Sequence, residues 1–285
     1  MNNEVMKMIR GKTISIFLPD GNPRSFKKCE ITNSNVEALF IPRNKIDEIP
    51  ESFKLDQPGI YFLIGEEEDQ LSVYIGEAEQ LSKRIKQHNI DTEKDFWKTA
   101  ICFVSVKSIN KAHIKFLENY CHDVASKVNR CVLKNNNTPT KSKLSDSDEQ
   151  ASLGFFDDLN VLISTLGYPI FDEIKKDKDK LLFCKGKDAY AEGELTEDGL
   201  VVFKGSKINL EESKTAGSWI INMRYKLKEK GIIKQEDNVY VFVENYLFNS
   251  PSASAAVVLA RRANGWVEWK YKSNNKSIDE VIRKN

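Results

Sequence analysis

The sequence predicts a mixed α and β protein (α/β in composition, α+β in arrangement). A small sheet flanked by helices stands behind a β-rich lead-in, and a separate, smaller α+β unit follows. Three observations predict this. Apolar runs of strand length alternate with segments of helical period, a charged and core-free stretch (DEIKKDKDK, 172–180) interrupts them, and 285 residues exceed one ordinary domain. The expected division is a lead-in over 1–56, a first domain with a trailing helix over 57–171, a linker over 172–180 and a second domain over 181–285.

Taken in order, residues 12–42 hold TISIFL and EALFIP separated by the turn sequence PDGNP, and read as short strands. GIYFLIG and SVYIG flank the polar EEEDQL, so Gly59 to Gly65 and Ser72 to Gly76 are expected as neighbouring strands joined by an acidic hairpin loop. A helix then begins near Glu79. Leu81 and Ile85 share one of its faces, Lys83, Lys86 and Gln87 the opposite one, and Arg84 and His88 lie beside the apolar face. A second helix over 111–128 aligns His113, Leu117, Tyr120, Val124 and Val128, with Glu118 at the margin of that stripe, where a carboxylate can look into a cleft. His113 is expected in the core and His122 in solvent.

The polar loop LKNNNTPTKSKLSDSDEQ leads through Ser145-Asp146-Ser147-Asp148, a capping sequence, into an apolar helix from about Gln150 to Leu166, which Gly167 and Pro169 stop. Beyond the linker the patterns predict strands around Ala189 and Leu200, a helix over 216–230, a strand at VYVFV, a short helix at SASAAVVLA and a last strand at GWVEWK.

Composition excludes several classes. With 40% apolar and 30% charged residues and no apolar run long enough to cross a bilayer, no membrane partner is expected. The amino terminus, MNNEVMKMIRGK, lacks a secretory signal, so a cytoplasmic, reducing setting is expected. The five cysteines (Cys29, Cys102, Cys121, Cys131, Cys184) are odd in number and form no CxxC pair, which argues against a disulfide framework and a structural zinc site. A net charge of +1 gives no global field for nucleic acid, so any such partner would need a local basic groove.

Gly59-Ile60-Tyr61 and Tyr74-Ile75-Gly76 resemble the two signature triplets of the GIY-YIG nuclease family, and Arg84, Glu118 and Asn135 follow in that family's order. His88, one helical turn after the arginine, matches a histidine that some members carry. The resemblance covers about residues 57–140. It implies a DNA endonuclease in which Tyr61 takes the proton of the attacking water, Tyr74 positions that water, and Arg84 clamps the phosphate. Glu118 would hold one Mg²⁺ (Mn²⁺ substituting) at the leaving oxygen, giving 5′-phosphate and 3′-hydroxyl ends. The residue types suit the task. Phosphodiester hydrolysis needs an activated water, a neutralised phosphate and a stabilised leaving oxygen, and Mg²⁺ can be held by one carboxylate with waters and substrate oxygens. A free phenol titrates near ~10, so Tyr61 acts as a base near neutral pH only where neighbours such as Arg84 favour its phenolate; otherwise His88 relays the proton. Two departures bear on substrate preference: Glu77, where small or basic residues are frequent, and Lys134, where an acidic residue often precedes the asparagine.

Residues 248–269, FNSPSASAAVVLARRANGWVEW, resemble the SPSxAA and NGWxxW pattern of domains that often follow such nucleases, and the RAMA domain of restriction and methylation systems. That resemblance implies DNA reading. Arg261 and Arg262 with Trp266 and Trp269 fit phosphate contact and base stacking, and they fit equally a small tryptophan core with arginines at a helix C-terminus. Lys141 and Lys143 join the expected DNA contacts. The function expected is metal-dependent DNA cleavage in restriction or phage defence. The alternatives are a catalytically silent DNA-binding or scaffold member, and a repair or mobile-element nuclease. Whether the chain works as a homodimer stays open.

Overall fold

A computed structural model describes residues 11–67, 70–107, 109–172 and 177–284. The chain divides into two compact units, Met1–Asp172 and Glu173–Asn285. The division falls at the start of the expected linker, of which residues 173–176 lie outside the described residues, as do most of the amino-terminal segment read above and the hairpin tip at 68–69. No helix among the described residues is long and apolar enough to cross a membrane.

The first unit is one seven-stranded sheet: β1 (Ile14–Phe17), β2 (Lys27–Ile31), β3 (Val36–Pro42), β4 (Gly59–Glu67), β5 (Gln70–Ala78), β6 (Trp97–Ser105) and β7 (Val132–Leu133), in the order β1-β2-β3-β6-β4-β5-β7. The lead-in is therefore continuous with the sheet of the triplets. The link is β6, which no expectation above placed. It pairs antiparallel with β3 from Val36↔Ser105 to Pro42↔Thr99 and with β4 from Ile60↔Phe103 onward. Its run WKTAICFVS is buried on both faces through most of its length, so it shows no apolar–polar alternation.

Three helices cover the sheet: α1 (Leu81–Ile90), α2 (Lys111–Val128) and α3 (Asp146–Thr165). Successive side chains of a strand point to opposite faces. Thus Ile60, Phe62, Val73 and Ile75 pack with Leu117, Cys121 and Phe155 on one side, while Tyr61, Leu63, Leu81, Ile85 and Trp97 form a second core on the other. In α2 the buried line is Ile114, Leu117, Cys121 and Ala125 rather than the stripe headed by His113. His113 is a half-buried capping residue: its ring bonds Asn110 (2.8 Å) and lies 3.6 Å from Asp148. His122, expected in solvent, is half-buried, and its Nδ1 is enclosed without a hydrogen bond.

The second unit carries β8 (Leu182–Lys185), β9 (Tyr190–Thr196), β10 (Gly199–Val202), β11 (Lys207–Asn209), α4 (Ser218–Glu229), β12 (Ile233–Glu236), β13 (Val239–Phe242), β14 (Tyr246–Phe248), α5 (Pro251–Leu259), α6 (Gly265–Glu268), β15 (Lys270–Tyr271) and α7 (Ile278–Ile282). Its sheet runs β12-β13-β11-β9-β10-β14, with β8 joining β9 to β15. The expected last strand at GWVEWK is a one-turn helix, α6, before the short β15. Asn264 starts that turn by accepting the Trp266 N–H at 3.2 Å, and the turn drops Trp269 into the core.

Candidate functional site

The sequence folds locally so that two tyrosines, an arginine and a histidine converge. β4 and β5 are antiparallel with Tyr61 opposite Gly76 and Leu63 opposite Tyr74, which places both phenols on the α1 side of the sheet. Gly76 is required by its neighbour: a Cβ there would lie 2.3 Å from the Tyr61 hydroxyl oxygen. Helix α1 starts after β5, and its 3.6-residue period delivers Arg84 and His88 one turn apart toward those rings.

Tyr61 is fully buried. Its Oη lies 2.7 Å from His88 Nε2, accepts a hydrogen bond from Arg84 Nε at 3.3 Å, and is hydrogen-bonded to Tyr74. The Tyr61 and Tyr74 rings stack at 6.2 Å, and both lie about as close to the His88 ring, at 5.4 and 5.3 Å. Tyr74 and Arg84 are half-exposed. Burial pushes the Tyr61 phenol well above its usual range, Tyr74 adds to the push, and Arg84 only partly offsets it. The condition for a Tyr61 phenolate near neutral pH is thus not met here. Burial, with Lys94 and then Arg84, pushes His88 down to about 4, so the ring is neutral.

Glu118 reaches the same strand edge from α2. Its carboxylate accepts a hydrogen bond from the Glu77 backbone N–H, directly after the second triplet, and feels Arg84 and Lys115. Desolvation and the neighbouring Glu77 carboxylate raise it to about 7. Asn135 meets none of the phenols. Its Oδ1 accepts the Ile75 N–H at 3.1 Å and its Nδ2 donates to the Ile75 carbonyl at 2.7 Å, which clamps the backbone of the second triplet where β7 ends. Asn119 secures the loop beyond by donating to the Pro139 carbonyl at 2.8 Å. Lys134 pairs with Glu67. Lys141, 5.5 Å over the Phe116 ring, and Lys143 are exposed on that loop.

Sequence reasoning missed Lys94. It stands in a short turn (Thr92–Lys94) whose geometry Asp91 fixes by accepting the Glu93 N–H at 3.1 Å. Its Nζ lies 3.3 Å from His88 Nδ1 and 3.9 Å over the Tyr74 ring. Arg43 pins this turn by bonding Asp95 (2.9 Å) and Asn89 (3.1 Å). A turn residue has no periodicity to betray it, so no sequence signal pointed there. A depression of about 300 Å³ lined by Lys12, Asn33 and Asp158 contains none of these groups, and Asp158 is taken by Lys12 and Ser34, each at 2.7 Å.

In the second unit the two motifs serve each other. Ser250 caps α5 by accepting the Ala253 N–H, Pro251 opens the helix, and Ser254 accepts the Trp269 indole N–H at 2.9 Å. A Cβ on Gly265 would lie 1.9 Å from the Pro251 carbonyl oxygen, so NGW must carry glycine there. Trp269 is a core residue, unavailable for base stacking. Trp266 is half-buried under the Arg283 guanidinium (3.7 Å), Arg261 is bonded to Glu268 (2.8 Å), and Arg262 is exposed. Arg224, which sequence reasoning also missed, is buried between α4, α5 and the end of β11. The signal was available, since Ile220, Arg224 and Leu227 recur at helical spacing.

Residues 182–282 match a known family. Its description is "Domain of unknown function (DUF4357)". The DUF4357 region covers nearly all of the second unit, including both motifs. No curated protein and no solved structure matches the chain.

Proposed function

We propose that the chain is a metal-dependent DNA endonuclease of the GIY-YIG type, hydrolysing phosphodiesters to 5′-phosphate and 3′-hydroxyl ends. The observation that carries the reading is the gathering of Tyr61, Tyr74, Arg84 and His88 from β4, β5 and α1, with Glu118 of α2 bonded to the Glu77 backbone and within electrostatic reach of Arg84. A stable fold does not need two phenols, a guanidinium and a neutral imidazole gathered around one half-exposed edge.

The roles follow from the groups. Half-exposed Arg84 can meet phosphate oxygens through its planar fork while still bonded to the buried phenol. The tyrosine pair orders the attacking water. Glu118 fits a hard cation: it stands beside a second carboxylate and is held near 7, so it gains from a positive charge that displaces its proton. Among the described residues no three His, Cys, Asp or Glu side chains gather as a metal cluster, so Glu118 would share the cation with water and substrate oxygens. Bound there, Mg²⁺ or Mn²⁺ would supply charge neutralisation at the leaving oxygen. Asn135 acts by holding the strand. Arg262 and the loop lysines Lys141 and Lys143, all exposed, would meet the DNA backbone.

The test is a cleavage screen on single-stranded, duplex, branched and methylated DNA with Mg²⁺ or Mn²⁺, run beside a binding assay. Wild type should cut at least one substrate. Glu118→Gln should lose cleavage while keeping DNA affinity, because it removes the oxygen ligand and one negative charge from the site. Binding by wild type without cutting under any condition would overturn the enzymatic reading and leave the silent DNA-binding alternative.

A further inference from the structure

We propose that Lys94 is a positioning residue that sets the direction of a hydrogen-bond chain running Lys94, His88, Tyr61, Tyr74, and that Tyr74 is consequently the phenol whose oxygen receives the proton of the attacking water. The proposal rests on the nuclease reading above for its chemistry, and on geometry alone for the direction of the chain.

An ammonium group donates and cannot accept. Lys94 Nζ, 3.3 Å from His88 Nδ1, therefore makes Nδ1 the acceptor. A neutral imidazole has one hydrogen, which must then sit on Nε2, 2.7 Å from Tyr61 Oη. Nε2–H and Arg84 Nε–H both donate to that oxygen, so the Tyr61 hydrogen is left for Tyr74, to which Tyr61 is hydrogen-bonded. The opposite direction, with Tyr61 giving its proton to Nε2, would place an Nδ1–H against an ammonium. His88 is thus a donor toward Tyr61 rather than a proton relay.

The groups facing His88 are Tyr61, Tyr74, Arg84, Lys94 and Asp91, and only Asp91 favours a charged ring. The chain ends at the more accessible phenol: Tyr74 is half-exposed, whereas Tyr61 is 0% exposed. Negative charge on the Tyr74 oxygen would meet the Tyr61 hydroxyl and Arg84, and the ring lies beneath the Lys94 ammonium at 3.9 Å. In the step itself, the bond from water oxygen to phosphorus forms and the bond from phosphorus to O3′ breaks. The water proton passes to the Tyr74 oxygen as the phenol's own proton leaves to solvent, and the departing 3′ oxygen takes a proton from solvent.

The chain has three histidines, so their ring nitrogens can be resolved by long-range ¹⁵N–¹H correlation in the full-length protein, with His113 and His122 identified by substitution. Wild type should show His88 protonated on Nε2. Lys94→Met keeps most of the aliphatic stem over Tyr74 but removes the donor, and should release His88 toward the Nδ1–H form. Lys94→Arg restores a donor and should restore Nε2–H. In cleavage assays Lys94→Met should lower kcat roughly ten- to a hundredfold, by analogy with loss of the groups that orient metal-ligating histidines, with Lys94→Arg recovering most of it. An Nδ1–H ring in wild type, or a Lys94→Met variant with an unchanged ring or unchanged kcat, would overturn the proposal. Absence of cleavage by wild type with the expected ring signals would instead sink the nuclease reading on which the chemistry depends.

Discussion

Each unit sets an arginine in a polar cluster, and the two arginines are used in opposite ways. Arg224 is 3% exposed. Its Nε donates to Glu212 (3.0 Å), and its terminal nitrogens donate to the carbonyls of Val257 (2.7 Å), Asn209 (2.5 Å) and Leu210 (3.1 Å). The charge is satisfied by backbone oxygens from two segments, Asn209–Leu210 and Val257, which ties both to α4. Arg84 is half-exposed, and its bonds to Tyr61 Oη (3.3 Å) and Gln87 Oε1 (3.4 Å) are longer than typical N–H···O bonds. A buried polar group with short, complete bonding secures architecture. Loosely bonded at a half-exposed edge, the same group keeps capacity for a ligand.

Substitution of the tyrosines should break this contrast most sharply. Tyr74→Phe should lower cleavage about 10²- to 10⁴-fold, the range for loss of a group that handles a proton, and Tyr61→Phe should lower it less, by removing the hydroxyl that orients Tyr74. Their stabilities should differ. Tyr74 is half-exposed and its variant should melt near wild type, whereas Tyr61→Phe leaves the His88 and Arg84 donors facing a ring edge, at a cost of about 1–3 kcal/mol. Wild-type cleavage by both variants would make the phenols core aromatics. Equal melting temperatures for the two would mean the Tyr61 hydroxyl is not held as described.

Arg224→Met is the mirror experiment. It fills much of the volume but abandons three carbonyls, and should destabilise the second unit by roughly 3 kcal/mol in calorimetry. The cleavage proposed for the first unit should persist at temperatures where that variant is still folded. A variant as stable as wild type would show that Arg224 is not the clamp its bonds describe.

The same contrast explains what could be read in the sequence. Helix α2 begins and ends where its pattern predicts, and β4 and β5 emerge around their turn, because one face of α2 and the triplet spacing leave local signals. Strand β6 does not, since a strand covered on both sides loses its alternation, and the lead-in was set apart because its partner strand went unseen. The GWVEWK segment has strand-like aromatics, but Asn264 caps a first helical turn locally and Gly265 fixes that turn against Ser252, 13 residues earlier, and Pro251, which the aromatic pattern does not reveal. Within the site, Tyr61, Tyr74, Arg84, His88 and Glu118 were legible from motif order. The exchange of roles proposed for the two phenols was not, because it depends on burial and on Lys94 in a turn.

The smallest effect probes Glu118 in the folded, metal-free protein. Its folded value of about 7 lies above the ordinary 4.5, so the native state binds more protons than the unfolded chain between those values. Stability should therefore fall as pH rises from about 4.5 to about 7 and stay lowered above that. Glu118→Gln removes the dependence. At about pH 8 the variant should be more stable than wild type by about 1 kcal/mol, a figure discounted because the carboxyl is only partly buried, and the difference should vanish near pH 4. Added Mg²⁺ should close the gap at the higher pH by stabilising wild type alone, since a ligand that binds only the native state raises its stability by mass action. A variant less stable than wild type at high pH would mean that the carboxylate is a structural hydrogen-bond acceptor for the Glu77 N–H. A gap that Mg²⁺ leaves untouched would move the cation away from Glu118.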